Sequence, residues 1–253
     1  ENDIRIDKKL KTYKKDLNVK FRDKIEKLKD LTLDQEKFNS LISKLITNMS
    51  LDENLEDEKK EDERSNNDSQ NKQQNEDKQA KEKEDKKEKL EDFKTAISST
   101  VRSLSNSEKI EVSFGDQNIK TEKNLIKLPD LDQINNKLNY NQIRAIADSK
   151  SLRFRFSNAK TLKQYEPEGN ISKKLYKISE KIRCEKIGTS YFKGVKNNIE
   201  KFYLERISGL DFKSSEDKIV ESFENYLRTK FLDFENDIRI DKKLKTYKKD
   251  LNE

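Results

Sequence analysis

The stretch NISKKLYKISEKIRCEKIG, residues 170–188, carries the pattern on which the predicted fold depends. Its apolar residues recur every three or four positions, which is typical of one face of an α-helix: Ile171, Leu175, Ile178 and Ile182. Pro167 and Gly169 stand before it, so we expect Asn170 to cap the start of the helix and Gly188 to end it. An apolar helix face needs other elements to cover it, which predicts a packed helical domain around this segment.

One carboxylate, Glu185, falls on the apolar face of this predicted helix. At about 100° per residue it lies about 320° from Ile171, within the arc of the apolar residues. The helix dipole also disfavours an anion in the last turn, so we expect an Arg or Lys partner, such as Arg144, Arg153, Arg155 or Arg206. A buried ion pair that fixes the helix against its neighbour is the favoured interpretation, and an interaction or switch residue is the alternative. Cys184 is expected to point away from the apolar stripe, without a nucleophilic role.

Further helices are predicted on both sides of this segment. Before it, they cover residues 91–105 and a stretch that ends near Ser149, where Asp148-Ser149-Lys150-Ser151 is interpreted as a helix end. After it, Ser190 is a candidate cap for a helix that Gly209 stops. Five residues of that helix are expected to face inward: Phe192, Val195, Ile199, Phe202 and Ile207. Two other stripes, at residues 38–46 and 220–238, predict helices nearer the two ends of the chain.

Two short segments alternate apolar and polar residues, as half-buried strands do. The first contains Ile110, Val112 and Phe114, and the second contains Leu152, Phe154 and Phe156. Only 30% of the 253 residues are hydrophobic, and Gly (5) and Pro (2) are scarce, which favours helices around a small core. The predicted fold class is mainly α: a helical bundle with a small two- or three-stranded β element and a long disordered charged linker.

The predicted linker is residues 51–89, where Leu51, Leu55 and Ala80 are the only hydrophobic residues. Such a segment buries too little apolar surface to offset its chain entropy, although the alternating charges of 76–89 favour transient helix. The domain division is therefore 1–50 as a helical segment, 51–89 as the linker, and 90–253 as the main helical domain.

Charge and composition exclude several classes of function. Residues 52–89 hold 15 acids and 10 bases, a net of −5, so the formal net charge of +6 leaves +11 on the remainder. A solvated lysine-rich surface explains this excess more simply than nucleic-acid or membrane binding. With no His and one Cys, the chain lacks a disulfide framework, a His-based triad and a Cys/His zinc site, and a reducing cytoplasm is predicted. No GxxxxGK[ST] phosphate loop or membrane span is present in the sequence.

Residues 1–18, ENDIRIDKKLKTYKKDLN, return unchanged as residues 235–252. The repeat is either a real duplication or one segment of a closed circle written twice. We favour the second explanation, in which the order runs from about Leu90 to Phe234, through the shared segment, and on to Val19–Asn75. In that order, the stripes of residues 220–238 and 10–28 are expected to join into one long helix that ends near Lys29.

Two runs resemble the N-terminal region of the T subunit of aerobic cobaltochelatase, the CobT family. They are IRAIADSKSLRFRF at 143–156 and YEPEGNISKKLYKISEKIRCEKIGTSYFKGVKNNIEKF at 165–202. The matching positions are Asp148, Leu152 and Arg153, then Glu180, Arg183, Glu185 and Gly188, then Gly194, Val195 and Asn198. EVSFG at 111–115, LPDL at 128–131 and EKFNSLISKLIT at 36–47 fit the rest of the region, in an order that agrees with the permuted chain. Cys184 replaces a family Val, Lys177 replaces an Asp, and the family's histidines and its C-terminal von Willebrand-type domain are missing from this sequence.

The resemblance implies a non-catalytic coupling subunit in ATP-dependent insertion of cobalt into a corrin ring. Its implied partners are an AAA+ ATPase subunit and a large tetrapyrrole-binding subunit. ATP, Mg²⁺ and cobalt would be used by the complex, with no cofactor on this chain. The candidate interaction residues are Arg153, Glu180, Arg183, Glu185, Gly188, Gly194 and Asn198. A helical scaffold or adaptor and a basic nucleic-acid-binding protein are the alternatives, membranes and nucleic acids are not the expected partners, and a homo-oligomer is left open.

The nucleotide sequence of the two terminal copies tests the closed-circle explanation. If one segment is counted twice, both copies use the same codon at every position. Sequencing of the genomic region across both junctions provides the measurement, and synonymous differences between the copies would establish a true duplication.

Overall fold

The computed structural model describes residues 24–49, 76–115, 124–130, 140–208 and 215–232. This part of the chain is mainly helical with a small two-stranded sheet, as predicted. The helices are α1 (residues 24–30), α2 (Gln35–Thr47), α3 (Glu76–Ser105), α4 (Tyr140–Phe156), α5 (Ala159–Gln164), α6 (Asn170–Tyr191), α7 (Lys193–Ser208) and α8 (Ser215–Phe231). The strands are β1 (Glu111–Phe114) and β2 (Leu125–Leu128).

The central helix is α6, which contacts α2, α4, α7 and α8. Its N-cap is Gly169 rather than Asn170, because the chain enters the helix with a φ of +86°, a backbone conformation that glycine adopts without strain. The helix also continues past Gly188, whose carbonyl accepts a hydrogen bond from the Phe192 N–H at 2.8 Å. The predicted cap and stop were therefore both wrong, while the helix and its apolar face are confirmed.

The described residues form three apolar clusters, and two of them include residues of α6. The largest joins α1, α2, α6 and α8, where Phe38 and Phe231 meet edge to face with ring centroids 6.0 Å apart. The second packs α3 and the sheet against the first half of α4. The third holds Cys184 of α6 against Leu152 of α4 and Ile199 of α7. Burial in several directions explains how a chain of low hydrophobic content fixes its helices.

The sheet pairs β1 with β2 in parallel, with Glu111 opposite Leu125. The strand predicted at 110–114 is confirmed, but the strand predicted at Leu152–Phe156 is wrong, since those residues form the last turns of α4. The alternation there is accidental: Leu152 is buried, whereas Phe154 is partly exposed. The sequence Asp148-Ser149-Lys150-Ser151 lies inside α4 rather than at a helix end, and the Ser151 hydroxyl donates to the Ala147 carbonyl at 2.7 Å.

Two other boundaries differ from the predictions. Helix α3 begins at Glu76, so 76–89 is helical although it was predicted to be disordered. Residues 51–75 of the predicted linker lie outside the described residues. Helix α7 begins at Lys193 rather than near Ser190, and its buried aromatic is Tyr203, while Phe202 is half-buried.

The packing of α1 and α8 bears on the predicted long helix. Ile25 and Leu28 share a core cluster with Phe231, and the short turn after α1 leads to Phe38, which touches Phe231. Most of the predicted long helix lies outside the described residues, so it stays a prediction. Both copies of the terminal repeat lie outside the described residues, so the order of the chain stays a prediction.

Helices α4 and α6 approach each other closely at Gly188. A Cβ atom at this position would lie 2.2 Å from Cδ2 and 2.4 Å from Cδ1 of Leu152, which is itself fully buried. No real contact is that short, so glycine is required here by the approach of the two helices. Gly194 differs, because a Cβ atom there would meet nothing within 4 Å.

We expect Gly188→Ala to destabilise the protein by about 1 to 3 kcal/mol, as overpacking of a filled core does. Thermal and urea denaturation followed by circular dichroism provide the measurement. Leu152→Ala introduced into the Gly188→Ala protein should cost less than it does alone, because it removes the clash. Gly194→Ala is the matched control and should show no loss of stability. Equal effects of the two glycine substitutions would contradict the proposed contact.

Candidate functional site

Glu180 and Arg183 form a buried pair on α6. Both side chains are almost fully shielded from solvent. Nε of Arg183 donates to Oε2 of Glu180 and Nη2 donates to Oε1, each at 2.9 Å. This two-point geometry is the strongest arrangement for an arginine and a carboxylate, because two parallel hydrogen bonds also fix the orientation of both groups.

The same guanidinium binds two other segments of the chain. Nη1 donates to the Thr32 carbonyl at 2.8 Å, in the turn between α1 and α2, and Nη2 donates to the Phe156 carbonyl at the end of α4. Gln35 adds a bond from Nε2 to Oε1 of Glu180 at 2.9 Å. The Glu180–Arg183 pair therefore holds the α1–α2 turn and the end of α4 against α6.

Cys184 lies beside this pair and away from the cluster that contains Ile171, as predicted. Its Sγ lies 3.8 Å from Oε1 of Glu180 and is buried. Burial and the nearby Glu180 carboxylate raise the pKa of the thiol far above its usual range. The sulfur is a protonated, inaccessible core atom, which supports the expectation that it is not a nucleophile.

Glu185 is buried, with 1% of its surface exposed, and it forms an ion pair, as predicted. The partner is Arg228 of α8, so none of the four candidate arginines was correct. Arg228 lies 43 residues further along the chain, and no local pattern connects the two positions. The hydroxyl of Ser149 on α4 also donates to Oε1 of Glu185. This carboxylate therefore joins α4, α6 and α8.

The Glu185–Arg228 pair continues into a larger group that we call the α8 network: Glu185, Arg206, Glu221, Glu224 and Arg228. Nε of Arg228 donates to Oε1 of Glu224 at 2.9 Å, and Nη2 of Arg206 lies 2.9 Å from Oε2 of Glu224 and 2.8 Å from Oε2 of Glu221. Lys181 reaches Glu224 at 3.7 Å. Counting Lys181, three bases meet three acids, so the network carries no net charge.

The pKa of Glu224 reports on the strength of this network. Burial would raise it, but the charges of Arg228, Lys181 and Arg206 lower it to about 2. A carboxylate whose pKa is lower in the folded state contributes stability above its unfolded pKa and loses that contribution as the pH falls towards its folded pKa. For Glu224 this window lies below the ordinary value of 4.5 and extends to about pH 2.

A third polar contact joins α4 to α7. Nδ2 of Asn198 donates to Oδ2 of the buried Asp148 at 2.8 Å. Burial raises the pKa of Asp148, while the hydrogen bond from Asn198 and the charge of Arg144 lower it, and burial prevails. This bond joins the α4 motif, which contains Asp148, to the α7 motif, which contains Asn198. The contact of Leu152 with Gly188 joins the α4 motif to the motif of α6.

The predicted site residues thus divide into two groups. Four of them are buried and hold helices together: Glu180, Arg183, Glu185 and Gly188, and the half-buried Asn198 joins α7 to α4. Arg153 is half-buried and Gly194 is exposed, and neither belongs to these contacts. Within the described residues, no three His, Cys, Asp or Glu side chains come together as a metal site requires. None of the described helices is long and apolar enough to cross a membrane.

Three residues that complete the site were not predicted: Gln35, Glu224 and Arg228. Each lies on a helix distant in sequence from α6. The available signal was in α8, where Glu224 and Arg228 are one helical turn apart on the same face as Phe223, Leu227 and Phe231. Charged residues inside an apolar stripe indicate a buried ion pair, as Glu185 did on α6.

The arrangement defines a helical protein whose buried charges bind its own helices together. A family model described as cobalamin biosynthesis protein CobT matches residues 87–223, more than half of the 253 residues. The chain therefore belongs to the CobT family, which implies a role in cobalamin biosynthesis within a cobaltochelatase made of several subunits. No solved structure matches the chain. The matched range contains α4, α6 and α7, and it leaves α1 and α2 outside.

Glu185→Ala should destabilise the protein by roughly 3 to 5 kcal/mol, because it leaves Arg228 buried without one of its carboxylates. Chemical denaturation at neutral pH provides the measurement. The control is Glu216→Ala, which removes an exposed partner of Lys174 and should cost roughly 0 to 1 kcal/mol. A loss below that of the control would show that the buried pair contributes no net stability.

Proposed function

We propose that this chain is a non-catalytic coupling subunit of an ATP-dependent cobaltochelatase. In this role it transmits conformational change between an AAA+ ATPase subunit and a large tetrapyrrole-binding subunit during cobalt insertion into the corrin ring. ATP, Mg²⁺ and cobalt are handled by those partners, and the complex works in the cytoplasm.

The observation that carries the proposal is the use of buried charge in the matched region and in the part of α8 that follows it. Glu180, Arg183, Glu185 and Arg228 satisfy one another and the backbone of neighbouring segments, so they are committed to structure. Buried pairs of this kind hold helices in one arrangement, because any shift leaves a charge without its partner. A body that moves as a unit is what a coupling subunit needs.

A second supporting feature is the attachment of α1 and α2 to that body. Arg183 and Gln35 bind the α1–α2 turn to α4 and α6, and Phe38 packs on Phe231. Helix α2 is therefore held at a defined place on the domain. A force applied to α2 would reach α6 directly.

The test is reconstitution of the full chain with the AAA+ subunit and the large subunit from the same organism. We expect the chain to co-purify with the AAA+ subunit, with nucleotide present or absent, and to be required for cobalt insertion. The isolated chain should not hydrolyse ATP. Lys44→Glu, an exposed change of charge on α2, tests whether association tolerates altered surface charge away from α6.

Two outcomes would contradict the proposal. ATP hydrolysis by the isolated chain, in a preparation free of the AAA+ subunit, would show that it has a catalytic site. Cobalt insertion at an unchanged rate without the chain would show that coupling does not depend on it.

A further inference from the structure

An aromatic and basic surface lies where α6 turns into α7. We call it the α6–α7 corner and define it as residues 191–194 together with Arg155 and Phe156 at the end of α4. Tyr191 is 69% exposed, which is unusual for a large hydrophobic side chain in the described part of the molecule. The Tyr191 and Phe192 rings lie 6.4 Å apart.

Arg155 packs against two aromatic rings of this surface. Its Cζ lies 5.4 Å from the ring centroid of Phe156 and 5.8 Å from that of Phe192, so the guanidinium rests against both rings. Nη1 also donates to the Leu104 carbonyl at the end of α3, at 3.3 Å. The aromatic residues are therefore held in place by a cation before any partner binds.

The corner is surrounded by positive charge. Residues 149–165 contain five bases and no acid, and residues 186–199 contain three bases and no acid. Within the described residues, no carboxylate forms an ion pair with Arg153, Arg155, Lys193 or Lys196. The acids of α6 do not offset this charge, because Glu180 and Glu185 are buried against their own arginines.

Gly194 adds a steric feature. It stands in the first turn of α7, where glycine is less favourable than alanine, and a Cβ atom would meet nothing within this chain. Neither packing nor backbone conformation requires glycine there. A bare backbone beside Tyr191 and Phe192 leaves room for another chain to approach closely.

We propose that the α6–α7 corner is a docking surface for an acidic peptide segment of a partner protein. An apolar side chain of that segment packs against Tyr191, its backbone passes over Gly194, and its carboxylates pair with Lys193 and Lys196. A central aromatic anchor with a charged rim is the common plan of a protein interface. The proposal is independent of the assignment to a chelatase.

Single-stranded nucleic acid is the other polyanion that this charge could attract, but the geometry favours a peptide. A nucleic-acid strand stacks successive bases on a series of open rings. Here Tyr191 offers one open ring, while Phe156 and Phe192 are covered by Arg155. One anchor point suits one apolar side chain.

The test measures binding of a fluorescein-labelled synthetic peptide of about 15 residues, rich in Glu and Asp with one Leu and one Phe, to the full chain. Fluorescence anisotropy at about 50 mM salt limits screening of the charges. Tyr191→Ser and Lys193→Glu should each weaken binding about tenfold, the effect of losing an interface anchor. The matched controls are Tyr140→Ser and Lys44→Glu. Tyr140 lies at the start of α4, about 24 Å along the helix from Phe156. Both variants should bind the peptide as the unchanged chain does.

Gly194→Leu examines the close approach separately. The site is open, so the melting temperature should not fall, yet the added side chain should block the peptide. The proposal would be overturned if Tyr191→Ser, Lys193→Glu and Gly194→Leu all bound the peptide as tightly as the unchanged chain does. The absence of peptide binding to the unchanged chain at low salt would also overturn it. Tighter binding of oligo-dT than of the peptide, lost in the same three variants, would replace it with a nucleic-acid surface.

Discussion

The fold depends on a guanidinium that has been removed from water. A buried arginine must find acceptors for its N–H groups, because each unpaired donor costs free energy. Arg183 finds them in the Glu180 carboxylate and in the carbonyls of Thr32 and Phe156, which belong to three different segments. Moving any one of those segments would break a charged hydrogen bond in the core. The position of α6 relative to α4 and to the α1–α2 turn is fixed by this requirement.

The α8 network applies the same principle on another side of α6. In a chain with 42% charged residues, few apolar side chains are available to define how the helices pack. Apolar contacts alone also tolerate alternative packing of the same helices. Buried ion pairs restrict the packing of helices more strongly, because a displaced helix leaves a charge unpaired in the low-polarity interior. Glu185 of α6 meets Arg228 of α8, and Lys181 of α6 reaches Glu224 of α8, so the two helices have one well-satisfied register. Polar contacts thus supply the uniqueness that a larger hydrophobic core would otherwise provide.

The features predictable from sequence are those whose cause is local. The helical period from Ile171 to Ile182 and the alternation from Ile110 to Phe114 each arise within one segment, and both elements are present. The burial of Glu185 was also predictable, since its angular position on the helix is a property of α6 alone. Its partner was not, because the choice of Arg228 depends on how α8 packs. Leu152–Phe156 shows the opposite failure: a short run matches the strand period, and only the packing of α4 on α6 reveals the helix.

The contact between Phe38 and Phe231 has a kinetic consequence. The two rings are 193 positions apart in the printed order, so folding must close a very long loop before they meet. If the shared terminal segment is counted once, about 40 positions separate them, and the entropy of loop closure falls by an equivalent of about 1.4 kcal/mol. The finished core would be the same in both arrangements, but the shorter connection would lower the contact order and speed the assembly of α2 against α8.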